Sequence, residues 1–247
     1  MNPVRAIRTI RGHGWLAVGS ATLFLAVALL TPETNVGVES ASGASPSYLG
    51  NRDAIGVLLL STSLTSAALL WFLAVLRAGL RTAEGGAGMF SALAITSGLL
   101  VVAFTALGGA LRVAAGLGVS VAADAAQWAG SILLAEAANN TMVELSTVWR
   151  GSLLAAVAIV TVRYGGLPRW FGWLSAVLAV GSFVGVLSFI KSSVSDTATM
   201  AGFGSFIAFH FWVLLAGVVL AVRSASETGV DPRPAAVRAT SAQAMGS

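Results

Sequence analysis

Cysteine is missing from all 247 residues, and that absence removes disulfides, thiolate metal sites, thioether haem attachment and cysteine nucleophiles together. Lysine is nearly missing too, with thirteen arginines against the single Lys191. A retinal-type Schiff base needs a lysine inside a span, and Lys191 falls at a span boundary. Histidine occurs only at His13 and His210. The first belongs to the basic N-terminal segment and the second to the last apolar run, which argues against two axial haem ligands at one depth. Clustered histidines and carboxylates of the kind that hold a catalytic metal are lacking as well. No metal or cofactor is therefore expected. Charged residues make up 10% of the chain, against about 25% in soluble domains. No carboxylate sits at the centre of an apolar run, unlike the usual proton relay of secondary transporters.

What the chain has in abundance is apolar surface, at 56% of residues. Windows of about 20 residues near Gly14–Leu30, Ala54–Leu76, Met89–Leu111, Met142–Val162, Pro168–Ile190 and Gly202–Val222 predict six transmembrane helices, hence an all-α polytopic bundle. Residues 1–222 form this transmembrane domain. Residues 223–247, with Pro232 and Pro234 among alanine and serine, read as a disordered cytoplasmic tail. The leader MNPVRAIRTIRGHG looks like the basic start of a signal peptide, but TPETNVG after Leu30 lacks a small-x-small cleavage pattern, so a retained span is expected.

Arginine placement sets the orientation, because short cytoplasmic loops retain positive charge. With the N-terminus inside and six spans, ten arginines fall on the inner side, while Arg52, Arg112 and Lys191 fall outside. Both termini are then cytoplasmic. Counting Val113–Ala137 as a seventh span would erase this asymmetry and place Asp124 in mid-bilayer. Its glycines, Gln127, Trp128 and Glu136 instead predict short amphipathic helices on the outer face between spans three and four. Three spans plus three permit an inverted repeat, although no internal sequence match supports one. The richness in arginine, alanine and glycine suggests a high-G+C bacterium, and so a multi-pass protein of the bacterial cytoplasmic membrane. Nucleic acid is not an expected partner, since the net charge of +4 comes from loop and terminal arginines.

The run VRYGGLPRWFGWLSAVLAV, Val162–Val180, resembles a family of uncharacterised six-span bacterial integral membrane proteins of actinobacterial type. In that family a span with a tryptophan toward its outer part, here Trp149, is followed by a turn of the type Gly166-Leu167-Pro168-Arg169-Trp170. The resemblance covers mainly the fourth and fifth spans. It implies the fold and brings no function.

Arg150 interrupts the fourth span about 12 Å of helix below Met142. Helical side chains tilt toward the N-terminus, here the outer end, so the guanidinium can climb toward water. His210 lies at matching depth in the sixth span, on a face with Phe206. Ser61 and Thr65 in the second span and Ser182 in the fifth share that outer-half layer. Glu144 and Trp149 lie just above Arg150, so Glu144 can rim an opening. Glu144 and Arg150 are six residues apart and diverge by about 120° around the helix. Hydroxyls in spans often bond their own backbone, so the site rests on Arg150 with His210.

Three functions stay open on this reading. The first is an outward-facing pocket that binds an anionic or amphipathic, lipid-like ligand, in a binding or transport-related protein. The second is an accessory or assembly subunit that docks another membrane protein or a second copy and needs no ligand beyond membrane lipids. The third is an intramembrane enzyme, with His210 as acid or base and Arg150 stabilising an anion.

Overall fold

The computed structural model describes residues 15–27, 52–85, 88–121, 129–186 and 195–226. The expected outer loop at 31–51, the middle of the outer segment at 122–128, Lys191 and the tail beyond Ser226 lie outside the described residues. Six helices carry the fold: α1 (Trp15–Val27), α2 (Arg52–Glu84), α3 (Met89–Val121), α4 (Ala129–Tyr164), α5 (Arg169–Val186) and α6 (Ser195–Ser226). The protein is all-α, and five of these helices are long and apolar enough to cross a membrane. The described part of α1 is apolar but shorter, at about 20 Å.

Most helices run past the apolar windows that mark them. The 33 residues of α3 and 36 of α4 give rods of about 50 and 54 Å, against a hydrocarbon core of about 30 Å. Within Val113–Ala137, where short outer-face helices are expected, residues 113–121 continue α3 and 129–137 open α4. Neither helix contains a proline, and a helical glycine costs only about 1 kcal/mol against alanine, so nothing stops either rod at the end of its apolar window. The two extensions are tied by Arg112, whose Nε lies 3.0 Å from both carboxylate oxygens of Glu136.

At the opposite end the turns are written in glycine and proline. Gly85 and Gly165 adopt φ of 65° and 72°, and their N–H groups donate back to Arg81 and Thr161 carbonyls, closing α2 and α4. The Glu84 carboxylate then caps α3, accepting bonds from the backbone N–H groups of Phe90 and Ser91 and from the Ser91 hydroxyl. Pro168 precedes α5, and its carbonyl accepts from Phe171 and Gly172.

The core draws buried side chains from all six helices, from Phe24 of α1 and Val101 of α3 to Trp212 of α6. Trp212 is its largest fully buried side chain, stacked on Phe171 at 5.4 Å and on Phe209 at 5.9 Å, with Phe72 edge-on. Its indole Nε1 donates to Ser175 Oγ, which donates in turn to the Phe171 carbonyl, so this buried polar pair is satisfied. α1 joins through close backbone approach: a Cβ at Gly217 would stand 2.8 Å from the Ala17 carbonyl oxygen. Large apolar side chains such as Trp71, Val177, Val180 and Val218 face outward, as lipid-facing surface does.

Candidate functional site

Arg150 sits on α4 about 21 Å of helix from Tyr164 and is 3% exposed. With one boundary of a hydrocarbon core of about 30 Å near Tyr164, the arginine lies roughly 10 Å from the opposite boundary. Its Nη2 donates to the hydroxyl of Thr147, one turn back on the same helix. Its Nε and Nη1 are buried and have no hydrogen-bond partner among the described residues. The guanidinium carbon lies 4.9 Å from the centroid of the Phe206 ring on α6. A guanidinium keeps its charge in any protein environment at physiological pH, so two of the three nitrogens of a permanent cation are left without acceptors.

His210 stands one turn from Phe206, edge-on to its ring at 4.6 Å, and is stacked at 4.7 Å on Phe24 of α1. Its Nδ1 lies 2.8 Å from the Phe206 carbonyl. A carbonyl can only accept, so Nδ1 carries hydrogen, and in the neutral ring Nε2 is the acceptor. Arg150 acts electrostatically on His210, and Glu144 on Arg150. Glu144 is half-buried on α4, and no ion pair forms between it and Arg150; the resolved pair among the described residues is Arg112–Glu136.

Arg150, His210 and Phe206 therefore meet, with Glu144 within electrostatic reach. The hydroxyls expected at the same level are otherwise engaged. Ser61 donates to the Leu58 carbonyl and Ser182 to that of Leu178, and among the described residues the one hydroxyl that accepts from Arg150 is that of Thr147. Thr65 is half-buried on α2. Trp149 is half-buried and packs against the apolar core.

Two neighbours escape sequence reading. Thr147 carries a legible signal, since a residue three positions before Arg150 shares its helical face. Phe24 carries none, because its contact with His210 depends on where α1 docks. Ser97 and Thr161, buried with hydroxyls unpaired, are likewise invisible in the sequence. Among the described residues no three His, Asp or Glu side chains gather as a metal site would require.

Comparison of the chain with protein-family models, curated proteins and solved structures found no match. The functional reading rests on the geometry of this chain.

Proposed function

We propose that the chain is a multi-pass integral membrane protein that binds an anionic or amphipathic, lipid-like ligand at Arg150, in a binding or transport-related role. Five apolar helices of membrane-crossing length support the membrane part of this reading. A single observation carries the ligand part: the buried guanidinium with Nε and Nη1 unpartnered. Leaving donors of a buried cation unpaired costs more than the usual 1–3 kcal/mol of a neutral group, and carboxylate or phosphate oxygens would remove that cost. The exposed ring of Phe206 beside His210 supplies apolar surface for the rest of an amphiphile. Native mass spectrometry of the protein with its co-purifying lipids tests the reading on wild type, Arg150→Gln, His210→Ala and the double variant. One site requires each single change to weaken the same bound species and the double change to be non-additive. Identical lipid profiles in all four proteins would leave Arg150 a structural residue.

A second reading, an assembly subunit, is favoured by the overhang of α3 and α4. Beyond the thickness of the hydrocarbon these helices still expose Leu117, Leu133 and Leu134, the last at 71%. Light scattering in a mild detergent checks it. An assembly role requires wild type to run as a complex, and Leu133→Ser with Leu134→Ser to run as a lone chain.

A further inference from the structure

The end of α2 away from Arg150 carries a second arrangement of charge and apolar surface. Arg77 and Arg81 are exposed, one helical turn apart, and flank a groove of about 510 Å³ that Ala74, Ala78 and Thr82 also line. Neither guanidinium has a hydrogen bond or ion pair to a described residue. The one carboxylate at this end among the described residues, Glu84, is occupied by its three bonds to the start of α3. Two other arginines there, Arg163 and Arg223, are placed differently, while Arg169, exposed at the start of α5, does not line the groove. Arg163 lies over the Tyr164 ring, and Arg223 donates to the Gly165 carbonyl.

The groove continues toward the membrane interior as an exposed lane. Leu64, Ala67, Trp71, Ala74 and Ala78 follow one another at alternating intervals of three and four residues, which places them in a single stripe along the helix, and all five are exposed. From Ala74 down to Leu64 the lane runs about 15 Å, the depth of one leaflet of a core about 30 Å thick. Trp71, 63% exposed, stands between the cations and the leucine, at the level where an indole ring suits the boundary of headgroups and chains. Small side chains at 74 and 78 leave room beside the helix for a chain to lie flat. Free phosphate would use only the two cations. A molecule that uses both features carries a negative headgroup on a hydrocarbon chain.

We propose that this face of α2 is a binding site for one anionic glycerophospholipid of the adjacent leaflet. Its phosphodiester sits between Arg77 and Arg81, and an acyl chain lies along Ala74, Trp71, Ala67 and Leu64. Two guanidinia offer a phosphate more geometrically defined donors than the diffuse attraction of a basic surface does. The site is independent of Arg150 and lies at the other end of the bundle.

The test is native mass spectrometry after exchange into vesicles of equal parts phosphatidylglycerol and phosphatidylcholine. The proteins are wild type, Arg77→Gln/Arg81→Gln, the charge-matched Arg163→Gln/Arg169→Gln, and Ala74→Trp, which obstructs the lane with both cations in place. Wild type should retain one phosphatidylglycerol selectively at this site, beyond any bound species that Arg150→Gln removes. The Arg77/Arg81 and Ala74→Trp variants should each retain about tenfold less of that phosphatidylglycerol, a difference of about 1.4 kcal/mol. The Arg163/Arg169 variant should keep it, and inorganic phosphate should not displace the lipid. Equal losses in the two double-arginine variants, full retention in Ala74→Trp, or displacement by phosphate would each overturn the proposal.

Discussion

The guanidinium of Arg150 rests over the ring of Phe206, 4.9 Å from its centroid, and forms no ion pair with Glu144 on its own helix. An aromatic face offers a desolvated cation roughly 2 kcal/mol and accepts none of its N–H bonds in plane. Phe206 is 38% exposed, so this partner stands between the cation and the surroundings of the bundle. Phe206→Leu should lower the thermal stability of ligand-free protein in detergent by about 1–2 kcal/mol. An anionic lipid should recover part of that loss in Phe206→Leu and less in Phe206→Leu/Arg150→Gln, which keeps only the site on α2. Circular dichroism melts with and without phosphatidylglycerol make the comparison.

The Arg112–Glu136 pair is nearly buried and clamps the extensions of α3 and α4. Glu136→Gln keeps an amide oxygen but removes the charge that offsets the guanidinium and should cost about 3 kcal/mol, whereas Arg112→Leu/Glu136→Met should recover most of the loss. Thermal unfolding of the three proteins checks this. A double variant no more stable than Glu136→Gln would mean that the pair is not the clamp.

In the core, Ser175→Ala removes the acceptor of the Trp212 indole N–H and should cost about 1–3 kcal/mol. Trp212→Phe loses ring volume as well as the bond. In the double variant the serine change should then add little, a coupling near 1 kcal/mol by double-mutant cycle. Purely additive losses would contradict the hydrogen bond.

The helical, membrane-crossing architecture was legible because an apolar run of about 20 residues has few other solutions. Arg150 and His210 were legible for the same reason, since a polar group in such a run stands out. Helix lengths were not. Hydropathy reports where apolar residues stop, while a helix stops where a breaker or cap is placed. α4 therefore begins at Ala129, well before the apolar window that opens at Met142. The engagement of Ser61 and Ser182 with their own backbone was foreseeable in kind. Which hydroxyls do so depends on rotamers that the sequence does not encode. The docking of Phe24 on His210 follows from the crossing of α1 and α6 at Gly217, a tertiary relation with no local signature.

The arginine asymmetry predicts that both termini are cytoplasmic and that residues 113–137 lie on the outer side. Ser42→Cys, Ala125→Cys and Ala242→Cys in this cysteine-free chain report it. An impermeant thiol reagent applied to intact cells should label the first two and spare the third. Labelling of Ala242→Cys without lysis would reverse the orientation.

The most direct test of the central claim is an experimental density map at side-chain resolution of the protein in a lipid nanodisc, inspected around Arg150 Nε and Nη1. A ligand site predicts non-protein density within about 3 Å of at least one of these nitrogens, continuing as a chain past Phe206 and His210, and absent from Arg150→Gln. A guanidinium whose nitrogens are all satisfied by protein groups or single waters, with unchanged surroundings in Arg150→Gln, would contradict it.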